Sequence, residues 1–147
     1  MAAEVFKFKP SHIEDFVPQE MQSDEWLSFQ ELRKCGIDDY LEDGLSTTTL
    51  QLGGKTYCIF GWIPLPDDGA NGWLFFSNTT GGTEMLYATA YVKATLEMLK
   101  SMFDWIQTPV RDDFPQAKRW MRLLGFCKTE HKEEINNAMY TYWARRL

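Results

Sequence analysis

The chain has 147 residues, 44% of them hydrophobic and 15% aromatic, and a formal net charge of −6. This length predicts a single domain, residues 1–147, with a buried core. An acidic chain without a Lys/Arg-rich block is not expected to bind nucleic acid, and no stretch approaches the roughly 18 apolar residues of a membrane span. The three cysteines are far apart and odd in number, which favours a reducing compartment over a disulfide framework.

The first half of the chain contains signals for one strand, two helices and a hairpin. Apolar residues alternate with lysine over residues 5–9, which predicts a strand. A candidate cap at Ser11 predicts a helix that Pro18 interrupts, and a second helix is expected over residues 23–35. The pair Gly53 and Gly54 separates two β-rich runs, which predicts a hairpin with a two-residue turn.

The middle of the chain predicts a loop, a strand and a long helix. Residues 64–72 are rich in proline, aspartate and glycine, and they predict a loop. The wholly apolar run 73–77 predicts a short strand in the centre of a sheet. Apolar residues then recur at three- and four-residue steps over residues 83–102, which predicts an amphipathic helix packed against that sheet.

The last third predicts a strand at 105–110, a short helix, and two final strands at 126–129 and 138–143 joined by the polar loop KEEINN. Asp113 is the candidate N-cap of the helix, with Pro115 in its first turn. Gly125 is expected to end the helix in a left-handed conformation.

This strand, helix and LLGF ending, placed ahead of a last pair of strands, resembles the closing half of the GCN5-related N-acetyltransferase (GNAT) fold. The predicted element order over the whole chain also matches that fold. The resemblance implies an α+β protein with a mixed central sheet flanked by helices.

The family resemblance implies a coenzyme A site at the turn after the fourth strand, where an Arg/Gln-x-x-Gly-x-Gly/Ala pattern holds the pyrophosphate. The candidate cofactor-binding residues in the matching turn are Thr79, Thr80, Gly81, Gly82 and Thr83. The basic residue of the pattern is missing, and Glu84 adds a negative charge that would oppose a bound phosphate. A plain strand-to-helix turn is therefore favoured, with no cofactor; acetyl-CoA would be the cofactor of an active enzyme.

The catalytic residues of the family are also missing. The family tyrosine that protonates the departing thiolate aligns with Met121, which cannot donate a proton. No glutamate matches the family's general base, so the remaining catalytic candidates are Gln107 and Tyr140. His12 and His131 lack partner spacing and are interpreted as surface residues. The sequence thus predicts a GNAT fold without transferase activity.

The chain further resembles the small acetyltransferase-like internal virion proteins of short-tailed bacteriophages. The features are ELRKCG at 31–36, YCIFG at 57–61, a Trp-containing fourth strand before the long helix, and the late LLGF. This resemblance implies a protein that assists assembly of internal virion proteins, binds other virion or host proteins, and is found in the host cytoplasm during assembly. Whether it stays in the mature virion is left open.

Two alternatives remain open. The first is an active acetyl-CoA-dependent N-acetyltransferase that holds its cofactor with the turn at 79–83 and uses Tyr140 as proton donor. The second is a host-directed binding module in which the acidic segment DDYLED, residues 38–43, attracts a basic partner. An enzyme would require an open space between the fourth and fifth strands and free N–H groups at Gly81 and Gly82.

Overall fold

The computed structural model describes residues 3–36 and 46–147. Within these residues the chain forms seven β-strands and three α-helices, with two short 3-10 helices ahead of the first α-helix. The elements are β1 (Ala3–Lys7), α1 (Ser23–Lys34), β2 (Thr47–Leu52), β3 (Lys55–Pro64), β4 (Gly69–Phe76), α2 (Gly82–Leu99), β5 (Trp105–Arg111), α3 (Pro115–Leu123), β6 (Cys127–Ile135) and β7 (Ala138–Arg146). The predicted acidic segment 38–43 lies outside the described residues.

The strands form a mixed sheet with the order β1-β2-β3-β4-β5-β7-β6. β2 pairs antiparallel with both β1 and β3, and β7 pairs antiparallel with both β5 and β6. β4 and β5 pair in parallel, with Gly69–Asn71 opposite Trp105–Gln107. The apolar strand β4 is fourth in the order, so its predicted central position is confirmed.

By internal contacts the chain divides into two compact units, Met1–Gly61 with Leu74–Ala88 and Trp62–Trp73 with Thr89–Leu147. The single-domain prediction stays a prediction.

In the first unit an aromatic cluster holds α1 against β4. The Trp26 ring centroid lies 4.9 Å from that of Phe16, 5.5 Å from that of Phe29 and 5.0 Å from that of Phe75. Such pairs contribute about 0.5–1.5 kcal/mol each beyond the area they bury. The cluster fixes the start of α1, and with it the segment immediately before this helix, close to the end of β4.

In the second unit α3 packs with the second half of α2 on the sheet. The buried residues of this core are Trp62, Ala70, Leu96, Leu99, Ile106, Val110, Met121, Leu124, Phe126 and Trp143. A hydrogen bond from the Trp120 indole N–H to the Thr89 hydroxyl, 2.9 Å long, links α3 to α2. Gly125 has φ +88°, so the predicted helix stop is confirmed.

Two predicted helix caps are wrong. Phe114 precedes α3 and makes no side-chain cap, while the Asp113 carboxylate accepts a 2.7 Å hydrogen bond from Arg111 Nε. The guanidinium charge competes with the helix end for this carboxylate. Ser11 lies inside the 3-10 helix Pro10–Ile13, whose N-cap is Lys9, so no long helix forms there.

Two predicted loops are largely strand. β4 begins at Gly69, inside the predicted loop 64–72. The absence of a side chain at Gly69 leaves room for the Trp105 ring, which a Cβ would meet at 2.2 Å. β6 continues through most of KEEINN to Ile135, and only Asn136 and Asn137, with φ +46° and +69°, form the turn. Charged residues suit β6 because it is an edge strand.

Within the described residues no helix is long and apolar enough to cross a membrane.

Candidate functional site

The exit loop, residues 77–83, comprises the connection from β4 to α2 and the first two residues of α2. It contains the predicted cofactor-binding residues. The carbonyl of Tyr57 fixes this loop by accepting hydrogen bonds from the Ser77 N–H at 2.9 Å and the Thr80 hydroxyl at 3.1 Å. Tyr57 is the extra residue of a β-bulge in β3, where the register against β2 shifts. The Ser77 hydroxyl lies 3.1 Å from the hydroxyls of both Thr79 and Thr80. These two threonine hydroxyls are therefore engaged within the loop.

The start of α2 is occupied by the chain's own carboxylate. The N–H of Gly81 donates a 2.9 Å hydrogen bond to Glu84 Oε2. Because α2 begins at Gly82, Gly81 is the N-cap and Glu84 is N3, so this contact is the glutamate half of a capping box. The negative charge lies at the positive end of the helix dipole, which stabilises the helix by about 0.3–1 kcal/mol.

Two features of the exit loop oppose a bound pyrophosphate in this arrangement. The Gly81 N–H that an anion would use already donates to Glu84. Residues 77–84 include no lysine or arginine, and a phosphate at the loop would lie beside the Glu84 carboxylate. Gly82 and Thr83 are exposed in the first turn of α2. The roles predicted for Thr79 to Thr83 as cofactor ligands stay predictions.

A second feature beside the exit loop was not anticipated from the sequence. Gln22, only 8% exposed, lies at the end of the 3-10 helix that precedes α1. Its side-chain Nε2 donates to the Leu74 carbonyl at 2.8 Å, and its Oε1 accepts from the Phe76 N–H at 2.8 Å. One buried amide therefore satisfies a donor and an acceptor of the β4 backbone.

The catalytic candidates lie on β5 and β7. Gln107 is half-buried, and its Nε2 donates a 3.3 Å hydrogen bond to Asn71 Oδ1, so two neutral amides pair there. Tyr140 is fully buried. In the β5–β7 register Gln107 lies opposite Ala144 and Tyr140 opposite Arg111, which separates the two candidates by about 13 Å of strand. The register does not bring them together, and their catalytic roles stay predictions.

Met121, at the position of the family tyrosine, is also buried. It is 8% exposed and belongs to the core of the second unit. Its side chain packs with apolar neighbours and has no group that could transfer a proton.

The two histidines have different surroundings. His131 is exposed, as expected, and its ring packs at a tilt of 40° against that of Tyr142, with centroids 4.7 Å apart. His12 is not an isolated surface residue, because its Nδ1 accepts a 3.1 Å hydrogen bond from the Lys9 N–H and lies 2.9 Å from the Thr49 hydroxyl. Burial, and then the Lys9 charge, lower the pKa of His12. These bonds tie the first 3-10 helix to β2.

A hydrogen-bonded cluster joins the end of β5 to the last hairpin. The Asp112 carboxylate accepts hydrogen bonds from the Thr141 hydroxyl and, at 3.1 Å, from Lys132 Nζ. The Thr141 bond, followed by Lys132, holds the pKa of Asp112 below its ordinary value despite partial desolvation. No group of His, Cys, Asp and Glu among the described residues could hold a metal ion.

No protein-family model matches the sequence, and no curated protein matches it. Solved structures do match. Ard1 from Thermoplasma volcanium has a TM-score of 0.72 at 15% identity, covering 100% of this chain and 99% of that one. Spermidine N-acetyltransferase from Vibrio cholerae, in complex with CoA and spermine, has a TM-score of 0.70 at 14% identity, covering 98% of this chain and 95% of that one. A GNAT-family acetyltransferase from Bacillus anthracis has a TM-score of 0.65 at 14% identity, covering 99% of this chain and 95% of that one.

These likenesses show that the chain has the GNAT fold, an α+β mixed sheet flanked by helices, and the fold prediction is confirmed. At such identities they concern the fold alone. Nothing in them connects the chain to the internal virion proteins of bacteriophages.

Proposed function

We propose that this GNAT-fold chain lacks transferase activity and acts through contacts with other proteins. Its specific role, as an internal virion or assembly protein of a short-tailed bacteriophage, rests on the sequence resemblance at residues 31–36 and 57–61. In that role it binds other virion or host proteins in the host cytoplasm during assembly and is carried into the virion.

The observation that supports the loss of activity is the hydrogen bond between the Gly81 N–H and Glu84. A bound pyrophosphate would have to displace this carboxylate from the start of α2. A hydrogen bond to a charged group contributes about 1.5–3 kcal/mol, and the displaced carboxylate would still repel the phosphates. Without an arginine or lysine in the exit loop, no positively charged side chain there offsets this cost.

The test is calorimetric titration of the purified chain with acetyl-CoA, with Gly81→Asp as the matched control. We expect no binding at millimolar cofactor for either protein. Micromolar binding that Gly81→Asp abolishes would overturn the proposal and place the cofactor at the exit loop.

The alternative function is an acetyl-CoA-dependent N-acetyltransferase. It is favoured by the fold shared with the spermidine N-acetyltransferase of Vibrio cholerae. This reaction would need the buried Tyr140 to become accessible to substrate. Acetyl transfer to an amine such as spermidine, measured for wild type and Tyr140→Phe, tests it. Turnover that the substitution abolishes while circular dichroism stays unchanged would establish the enzyme; turnover at the blank rate in both supports a non-enzymatic role.

The role in phage assembly needs its own test. Mass spectrometry of gradient-purified particles from the source of this sequence is expected to detect peptides of the chain. If the particles lack the chain, and particles made without its gene have normal internal proteins and infectivity, the virion role is wrong.

The host-directed module makes a different prediction. Neutralising Asp38, Asp39, Glu42 and Asp43 would abolish partner binding, and binding would fall steeply with salt. Binding insensitive to both changes would exclude the acidic segment as the binding element.

A further inference from the structure

The end of β4 has one edge that faces β3 and one that faces away from it. The Ser77 N–H donates to the Tyr57 carbonyl of β3, so the backbone groups of Ser77 point toward β3. Successive residues of a strand direct their N–H and C=O groups to opposite edges. The groups of Phe76 and Leu74 therefore point away from β3, to the edge where β4 pairs in parallel with β5 at Gly69–Asn71.

On this edge the Gln22 side chain takes the place of a strand residue. A residue of a parallel neighbour donates its N–H to one carbonyl and accepts from the N–H two residues further along. The Gln22 amide does the same, donating to Leu74 and accepting from Phe76. The near-complete burial of Gln22 shows that this contact is part of the folded interior and not a chance contact at the surface.

The backbone before Gln22 lies on the same edge of β4, in the antiparallel direction. The N–H of Gln19 donates to the Phe76 carbonyl at 3.0 Å, and the N–H of Asn78 donates to the Val17 carbonyl at 2.8 Å. Pro18 forms an isolated antiparallel bridge with Ser77. We call residues 17–22 the strap, since they cover the edge of β4 from Leu74 to the exit loop.

We infer that the strap, held in place by the Gln22 amide, closes the β4 edge to an extended, amide-bearing ligand independently of Glu84. This inference rests on the proposed loss of cofactor binding and deepens it. The arm of coenzyme A contains amide groups, so a molecule held at the exit loop could pair with this edge of β4 only by displacing the strap. The Leu74 carbonyl and the Phe76 N–H that such an arm would use are those that Gln22 occupies, and removing the Gln22 side chain lowers the cost of that displacement.

The test compares coenzyme A binding, by calorimetry, in wild type, Glu84→Ala, Gln22→Ala/Glu84→Ala and Gln19→Ala/Glu84→Ala. Gln19 contacts β4 through its backbone N–H, so Gln19→Ala is a matched control that keeps the strap bonds. We expect Gln22→Ala/Glu84→Ala to bind at least tenfold more tightly than Glu84→Ala, while the Gln19 control equals Glu84→Ala. Hydrogen exchange at the Phe76 amide should accelerate only in the Gln22 variant.

The inference would be overturned if the double variant Gln22→Ala/Glu84→Ala bound coenzyme A no more tightly than Glu84→Ala. It would also be overturned if the Gln19 control gained as much affinity for coenzyme A as the Gln22 variant. If Gln22→Ala fails to fold by circular dichroism, Gln22→Glu replaces it, since a carboxylate cannot donate to the Leu74 carbonyl; absence of a gain there overturns the inference as well. Micromolar binding by wild type would instead refute the proposed function. The two failures are therefore distinguishable.

Discussion

Replacing Gly69 by alanine tests how tightly the start of β4 packs against β5. An alanine Cβ at this position would lie 2.2 Å from Trp105 Cε2 and 2.3 Å from Cζ2, whereas carbon atoms pack best at about 3.5–4.0 Å. The indole would have to retreat by more than about 1 Å. It is held by a 3.2 Å hydrogen bond from Nε1 to the Asp67 carbonyl and by the parallel pairing of Trp105 with Gly69.

The expected cost follows from these contacts. Loss of the indole hydrogen bond costs about 0.5–1.5 kcal/mol and overpacking about 1–3 kcal/mol. Gly69→Ala should therefore lower the free energy of unfolding by about 2–4 kcal/mol, measured by urea denaturation. In a Trp105→Ala background the same change should be neutral or slightly stabilising, because alanine reduces the entropy of the unfolded chain. The double-mutant cycle isolates the clash.

Gly72→Ala is the matched control, since its Cβ would meet the movable end of Ile106, Cδ1, at 3.2 Å. We expect a cost of about 1 kcal/mol or less. An equal cost of Gly69→Ala with and without the Trp105 ring would refute the reasoning, because the penalty would then not come from the indole.

Two further predictions concern polar contacts. The pKa of His12 is lowered in the folded chain, so the unfolded chain takes up the proton first as the pH falls. The contribution of neutral His12 to the free energy of unfolding is therefore complete above its ordinary pKa of about 6.5 and is lost as the pH falls below that value. His12→Asn should remove this pH dependence, measured by urea denaturation. A pH dependence unchanged by His12→Asn would assign it to another group. Thr141→Val should cost about 1–2 kcal/mol and raise the pKa of Asp112, detected by NMR titration. The difference in free energy of unfolding between wild type and Thr141→Val should shrink below about pH 4, where Asp112 becomes protonated in the unfolded chain. An unchanged pKa of Asp112 in Thr141→Val would show that the Thr141 hydroxyl does not lower it.

Local signals predicted much of the fold. Gly53 and Gly54, with φ +60° and +77°, form the predicted two-residue turn, and Gly125 ends α3. The long helix and the central apolar strand were visible because each depends on residues a few positions apart. The resemblance of the closing strand, helix and LLGF run, together with the order of the elements, predicted the GNAT fold, which the solved structures confirm.

Features that depend on which of several partners a side chain chooses, or on a partner far away in the chain, could not be predicted in this way. Asp113 looks like a helix cap until Arg111 is seen to hold its carboxylate. Gly69 looks like a turn residue, but its missing side chain makes room for Trp105, which is far away in sequence. The charges of β6 resemble a loop, since nothing local marks an edge strand.

The features of the candidate site were likewise only partly predictable from the sequence. The sequence by itself determined that the exit loop lacks a basic residue and has Glu84 at the start of a helix, because both are properties of neighbouring residues. The Glu84 bond to the Gly81 N–H joins residues three positions apart and is therefore also local, whereas only the tertiary structure decided that Gln22 covers the edge of β4. The physical reason is that a side-chain amide can replace a strand only where folding brings it to a strand edge, and more than 50 residues separate Gln22 from Leu74 and Phe76.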